Sequence, residues 1–188
     1  MKIIKPGKAS HDDSDMEREM LGLAHTAKIR EYCDYIDEHL RNVQKAWETV
    51  QEKCGDLHPL IDDFLWAFID ESIRMHDLSK FGPQEFIQYQ RKFHPVPNFQ
   101  GGFEAEFEAA MECHKALNPH HWENWTQRDE EFPNQNACYC VEMVCDWMAM
   151  GVHYGDTAEA YYLKNVDRIR LPQWGRELVA EIFERIRE

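Results

Sequence analysis

The feature that most constrains the fold is a long helical periodicity between residues 16 and 54. Apolar side chains recur there at steps of three and four, at Ile29, Cys33, Ile36, Leu40, Val43, Trp47 and Val50. Gly55 follows at a position suited to the end of a helix. The pattern predicts one long amphipathic helix, in which Gly22 is the expected place for a break, and the other elements must pack along its apolar face.

Helical patterns also account for most of the remaining sequence, and they cover roughly residues 59–77, 83–92, 103–117, 136–150, 157–164 and 173–187. The segment 118–135 is rich in turn residues and is interpreted as irregular. No segment alternates apolar and polar side chains with a period of two, so the sequence predicts an all-α fold of about six to eight helices. We expect residues 1–15 to form a flexible N-terminal arm and residues 16–188 to form a single domain.

The charge balance limits the partners that the chain can bind. The formal net charge of the 188 residues is −14, so most of the surface would repel a nucleic-acid duplex. A small phosphorylated substrate is compatible with this charge where a metal ion supplies local positive charge. No apolar run approaches the roughly 20 residues that span a bilayer, and the N-terminus lacks the apolar core of a signal peptide. The sequence therefore predicts a cytoplasmic protein with no membrane or duplex nucleic-acid partner.

The six cysteines form no CxxC pair. Three of them lie close together in the apolar segment 138–145, and the others are Cys33, Cys54 and Cys113. Disulfides are rare in cytoplasmic proteins, and a free cysteine packs as a small apolar side chain. We therefore interpret the cysteines as reduced core thiols.

The stretch RMHDLSKFG, residues 74–82, places two common metal-binding side chains next to each other. His76 and Asp77 lie three and four residues after Ile73, so both can point from the buried side of a helix that continues through residue 77. The simpler interpretation is a histidine that interacts with the dipole at a helix C-terminus. Lys80 follows three residues after Asp77. The pair gains significance if other ligands in the chain face it.

Five further residues are candidate partners for this pair. His39 and His114 lie at helical steps from apolar residues, where a lone histidine is usually a hydrogen-bonded core residue. His120 and His121 form a doublet in the segment NPHHW, which alone would be read as solvated surface. Asp146 lies in the apolar helical segment CVEMVCDWMAM. A buried carboxylate needs a partner because desolvation of its charge is strongly unfavourable, and the neighbouring sequence offers no cation.

Together these residues have the chemistry of a metal centre. Imidazole and carboxylate groups are suited to divalent ions such as Mn, Fe, Zn, Ni, Co or Mg. An aspartate can bridge two ions about 3.5–4 Å apart, and such a pair can hold both the attacking and the leaving oxygen of a phosphoryl group. Helical bundles hold ligands of this kind rigidly. The sequence therefore predicts one or two divalent ions and leaves the metal open.

The order His, His–Asp, Asp resembles the HD-domain superfamily of metal-dependent phosphohydrolases. The added histidines at positions 114, 120 and 121 are similar to those of its two-metal branches, and HDLSK resembles the form in which the lysine faces the substrate. The combination of HDLSKFGPQEF, NPHHWENW and CDW also resembles a family of bacterial and phage proteins that carries this pattern. The resemblance covers roughly residues 30–150 and implies a compact HD-like helical bundle.

The resemblance also implies a role for each residue of the set. One metal would be held by His39, His76, Asp77 and Asp146, and a second by Asp77 as a bridge with His114 and His120 or His121. Lys80 would hold the anionic group of the substrate. Glu85, Glu123 and Glu142 are candidates for an acid or base, and position alone does not choose among them.

The activity implied by the resemblance is hydrolysis of a nucleotide or another small phosphate ester through a metal-activated water. Asp77 and Lys80 are the expected catalytic residues. Two alternatives stay open at this point. One is a di-iron oxygenase, because the HD scaffold also carries that chemistry and a lysine after the HD pair occurs there too. The other is a non-catalytic helical module that binds a metal and a partner.

Overall fold

The computed structural model describes residues 11–55, 61, 63–96, 102–126 and 133–187. Within these residues the chain forms eight α-helices, one 3₁₀ helix and no strand. The 3₁₀ helix spans Leu78–Phe81, and the α-helices are α1 His11–Cys54, α2 Asp63–Arg74, α3 Phe86–Phe93, α4 Glu104–Leu117, α5 Trp122–Trp125, α6 Pro133–Tyr154, α7 Ala158–Asn165 and α8 Gln173–Arg187. The predicted all-α class is confirmed. None of these helices is both long and apolar enough to cross a membrane.

Helices α1 and α6 form the centre of the fold. The predicted stripe of α1 packs into the core, where Ile36, Val43, Trp47 and Val50 are fully buried. Helix α6 is buried around most of its circumference between residues 136 and 149, as expected for a helix that is apolar on several sides. Helices α2, α7 and α8 pack against α6, and α8 also contacts α1. The apolar core therefore lies around the α1–α6 pair.

A smaller layer consists of the 3₁₀ helix, α3, α4 and α5. These elements contact one another, while α3 also contacts α1 and α5 also contacts α6. Aromatic side chains hold the layer together, since the ring of Phe107 lies 5.2 Å from that of Tyr89 and 5.6 Å from that of Phe93, measured between centroids. The candidate site lies between this outer layer and the α1–α6 pair.

Helix α1 differs from the expectation at its N-terminal end. It begins at His11 and continues through Gly22 to Cys54, so the expected break at Gly22 was wrong. A single glycine within a helix costs only about 1 kcal/mol relative to alanine, and the intact hydrogen bonding on both sides outweighs that cost. Residues 11–15 of the expected arm are helical, and residues 1–10 lie outside the described residues. The single-domain interpretation of residues 16–188 stays a prediction.

Helix α2 ends at Arg74 rather than at Asp77. His76 and Asp77 lie in the following turn, and Asp77 adopts a left-handed conformation with φ 56°. It is the one residue other than glycine with positive φ in the described part of the chain, and aspartate tolerates this conformation better than most residues. The expectation that helical spacing directs both side chains inward was therefore wrong, because the turn does so instead.

Other helix boundaries differ by three or four residues. Helix α3 begins at Phe86 rather than at residue 83, and α6 extends beyond the expected 136–150 at both ends. The segment expected to be irregular contains the short helix α5, while residues 127–132 lie outside the described residues. These differences do not change the order of the elements.

None of the six cysteines, all of which lie in the described residues, forms a disulfide. Four of them, Cys54, Cys138, Cys140 and Cys145, are buried, whereas Cys33 and Cys113 are half-buried. Burial raises the pKa of the Cys140 and Cys145 thiols. Because the thiolate is the reactive form, two effects protect these core cysteines from chemical modification. Burial excludes reagents, and the raised pKa keeps the thiols protonated.

We expect a thiol reagent to distinguish these classes in the native protein. At pH 8, Ellman's reagent should react quickly with Cys33 and Cys113 only, and with all six cysteines after denaturation in urea. Absorbance measures the number of reacting thiols, and peptide mass spectrometry identifies them. Rapid modification of Cys140 or Cys145 in the native state would contradict the packing around α6.

Candidate metal centre

Elements from both layers bring the predicted site residues together around Asp77. Helix α1 contributes His39, the turn after α2 contributes His76 and Asp77, α4 contributes His114, the turn before α5 contributes His120 and His121, and α6 contributes Asp146. His121 and Asp146 are half-buried and the other five are buried. Residues that are far apart in the sequence therefore form one cluster of imidazole and carboxylate groups.

The first donor group consists of His39, His76, Asp146 and the Oδ2 atom of Asp77. The Nε2 atom of His39 lies 3.3 Å from Asp77 Oδ2 and 3.3 Å from Asp146 Oδ1. The Nε2 atom of His76 lies 3.6 and 3.7 Å from the same two oxygens. Four tetrahedral ligand atoms at 2.0–2.2 Å from one ion would lie about 3.3–3.6 Å apart. The spacing of the first donor group is therefore that of a metal site.

The second donor group consists of His114, His120, His121 and the Oδ1 atom of Asp77. The Nε2 atoms of His114 and His120 lie 3.3 and 3.6 Å from Asp77 Oδ1. Each of the three histidines offers a ring nitrogen, and these nitrogens lie within 4.8 Å of one another. Burial and the nearby histidines lower the pKa of His121 to about 3, so its ring is neutral and can offer a lone pair. Both histidines of the doublet belong to this group.

Several atoms of the cluster are buried without hydrogen bonds. The Nε2 atoms of His39 and His76 and the Oδ1 atom of Asp77 have no hydrogen-bond partner in the described part of the protein. Buried polar atoms in folded proteins are almost always hydrogen-bonded. Two of these atoms lie in the first donor group and Asp77 Oδ1 lies in the second, so each group contains at least one buried atom that a bound cation would satisfy. The residues present fit one or two metal ions with Asp77 as the shared ligand.

Carboxylates behind the histidines fix the orientation of the rings. Glu142 Oε1 lies 2.8 Å from Nδ1 of His76 and 3.2 Å from Nδ1 of His120. Glu85 Oε2 lies 2.8 Å from Nδ1 of His114. A carboxylate on Nδ1 leaves Nε2 as the ligand atom and makes it more basic. Because Glu142 contacts one histidine of each donor group, it ties the two groups together.

The electrostatics of the cluster favour bound positive charge. Burial opposes ionisation of Asp77, but the charges of Lys80 and His76 outweigh burial and hold the pKa of Asp77 well below its usual range. Burial also opposes protonation of His76, but the charge of Asp77, the neighbouring carboxylate of Asp146 and the hydrogen bond to Glu142 raise the pKa of His76 to about 10. Both shifts show that the ionised carboxylates attract a cation or a proton into the site.

Lys80 lines a cavity that adjoins the cluster. Its Nζ atom donates a hydrogen bond to Asp77 Oδ2 at 2.5 Å and lies 5.9 Å from the centre of the Tyr89 ring. The cavity has a volume of about 660 Å³ and reaches both donor groups through Asp77, His114 and Asp146. A ligand in the cavity would therefore meet the cluster and the ammonium group of Lys80 at the same place.

The structure also separates the three glutamates considered as acids or bases. Glu85 and Glu142 are buried behind histidines, whereas the carboxylate of Glu123 is partly exposed and lies 3.4 Å from Lys115 Nζ. The sequence carries a signal for Glu142, because it lies one helical turn before Asp146 in the same apolar segment. It carries no comparable signal for Glu85, whose burial depends on the turn after the 3₁₀ helix.

We expect Glu142→Gln to weaken metal binding at both donor groups. The substitution keeps the shape of the side chain but removes the charge behind His76 and His120, and loss of such a carboxylate typically lowers metal affinity about 10- to 100-fold. Isothermal titration of the metal-free protein with Zn²⁺ or Mn²⁺ measures the change. Glu123→Gln is the matched control and should leave the affinity unchanged. A folded Glu142→Gln protein with the original affinity would remove Glu142 from the site.

Comparison with known proteins places the chain in one family. No curated protein matches the chain, and no solved structure matches it. A family described as "Family of unknown function (DUF5662)" matches residues 28–185. This region contains both donor groups, Lys80, Glu85 and Glu142, and it excludes the part of α1 that precedes residue 28. The chain therefore belongs to the DUF5662 family.

Proposed function

We propose that this protein is a metal-dependent phosphohydrolase that acts on a nucleotide or another small phosphate ester. The observation that carries the proposal is the position of Asp77, whose two carboxylate oxygens each face a separate group of donor atoms. A shared aspartate between two such groups is the arrangement that holds a pair of divalent ions in many phosphoryl-transfer enzymes.

Each part of the cluster has a separate task under this proposal. Divalent ions at the two donor groups would supply Lewis-acid activation of water and neutralise charge on a phosphoryl group. Asp77 fixes the distance between the two groups, while Glu142 and Glu85 keep the histidine rings in their orientation. Lys80 offers an ammonium group where an anionic oxygen of the substrate would lie, as a point charge that can follow a phosphate.

The cavity supports a substrate with an organic group attached to the phosphate. Its volume of about 660 Å³ exceeds the need of inorganic phosphate and lies within the roughly 300–1,000 Å³ usual for small-molecule sites. Apolar and aromatic side chains line it on the α3–α4 side through Phe107 and on the α6 side through Trp147 and Met150. Lys115 and Arg168 add two further positive charges to the lining, which favours anionic ligands despite the net charge of −14.

The order His39, His76–Asp77, Asp146 supports membership of the HD-domain superfamily, and we propose that membership and a cytoplasmic location on sequence grounds. The same ligands are compatible with the two alternatives derived from the sequence, a di-iron oxygenase and a non-catalytic metal-binding module. These alternatives differ in the metal retained and in the product formed, so one set of measurements separates all three.

The decisive experiment combines metal analysis with an activity panel. Protein purified without chelators should contain a divalent metal, and it should release phosphate from at least one nucleotide or phosphoester with Mn, Co, Ni, Mg or Fe. Asp77→Asn suits the left-handed backbone, and it should abolish both metal binding and hydrolysis while the helical circular dichroism is retained. Iron with oxygen uptake in place of phosphate release would support the oxygenase. Full metal content and activity in Asp77→Asn would overturn the proposal.

We expect Lys80→Ala to lower kcat/KM without loss of bound metal. A hydrogen bond to a charged group is worth roughly 1.5–3 kcal/mol, so kcat/KM should fall about 10- to 100-fold, with KM raised, while the metal content stays the same. Lys80→Met keeps most of the stem and isolates the effect of the charge. If both variants melt at a lower temperature but keep the original kinetics, Lys80 has only a structural role at the end of the 3₁₀ helix.

A further inference from the structure

The N-terminal part of α1 carries an exposed apolar stripe outside the candidate site. Met16, Met20 and Leu23 are 57%, 65% and 65% exposed, and Ala27 is exposed as well. Monomeric proteins rarely leave large flexible apolar side chains in a continuous exposed row. We therefore expect another protein surface to cover the stripe.

The four residues lie on one line along the helix. Their spacing of four, three and four residues, at about 100° per residue, places all of them within about 60° of one another. The residues of α1 that enter the core, such as Tyr32 and Ile36, project from the opposite side of the same helix. A narrow stripe with this spacing is typical of the seam of a two-stranded coiled coil, and the described part of the protein leaves it exposed.

We propose that two copies of this chain pair through the stripe, with the two α1 helices antiparallel. The positions are symmetric about a point between residues 21 and 22. An antiparallel pair with its two-fold axis at that point sets Met20 against Leu23 of the second copy and Met16 against Ala27 of the second copy. The same side chains are used by both copies, which is the property of a closed two-fold interface.

The charge pattern of α1 selects the antiparallel arrangement. Acidic residues occupy positions 12, 13, 15, 17 and 19, while Lys28 and Arg30 lie at the other end of the stripe. An antiparallel pair places Arg30 and Lys28 of each copy beside the acidic end of the other. A parallel pair would place acidic residues against acidic residues over the same length, which is unfavourable. Lys28 also pairs with Glu31 of its own helix at 2.6 Å, so Arg30 is the more available cation.

The proposed contact is small and separate from the chemistry of the site. The stripe is about 18 Å long, so the pair buries less area than a standard stable interface and should dissociate on dilution. The stripe also precedes residue 28, where the family match begins. The test of dimer formation is therefore independent of the proposed metal binding and hydrolysis.

Light scattering coupled to gel filtration of the full chain tests the proposal. The mass of the wild-type protein should rise from that of a monomer toward that of a dimer as the concentration increases from micromolar to millimolar. Leu23→Glu should keep the protein monomeric over this range. Leu163→Glu is the matched control, because Leu163 on α7 is 61% exposed, and it should behave as wild type. A monomer at all concentrations, including one in which residues 1–10 cover the stripe, would overturn the proposal, as would a dimer that Leu23→Glu leaves intact.

A disulfide-exchange experiment tests the orientation. When Met20→Cys and Leu23→Cys proteins are mixed and oxidised gently, the antiparallel pair predicts preferential cross-linking of position 20 to position 23, identified by peptide mass spectrometry. Preferential linkage of position 20 to position 20 would exclude the antiparallel arrangement. Because both positions are exposed on the helix surface, neither substitution should disturb the fold, and circular dichroism checks this.

Discussion

The burial of one ionised carboxylate, that of Asp77, dictates the arrangement of this part of the molecule. Asp77 is 1% exposed, and an unpaired carboxylate at such depth would lose several kcal/mol or would take up a proton. Lys80 and histidines from α1, α4 and two turns lie close to the carboxylate and stabilise its negative charge. Those residues can surround Asp77 only if the elements that carry them hold their relative positions, so the packing of the layers and the state of the carboxylate are mutually dependent.

The two donor groups rest on different parts of the fold. His39 and Asp146 belong to α1 and α6, the pair at the centre of the core, whereas His114, His120 and His121 belong to the outer layer. The close packing of the core therefore holds the side chains of the first group in place. The second is carried by α4 and by the turn before α5, and α5 is itself packed into the core through Trp125. Asp77 and Glu142 connect the second group to the first.

Much of this organisation is readable from the sequence, for identifiable physical reasons. A 3.6-residue period over a long segment leaves little choice of structure, which explains why α1 was predicted, and Asp146 stood out because an apolar helix seldom carries a charge. The end of α2 at Arg74 and the partners of Glu85 were not predictable. Helical spacing alone cannot show where a chain turns, and the contact between Glu85 and His114 depends on how three elements pack.

The left-handed backbone at Asp77 limits which residues can replace it during evolution. Glycine, asparagine and aspartate accept a positive φ with little strain, whereas glutamate, alanine and branched residues do not. A related protein that does not need the carboxylate would therefore be expected to carry asparagine or glycine at this position. The identity of that single residue in a related sequence would then distinguish a protein that has kept the ligand from one that has kept only the turn.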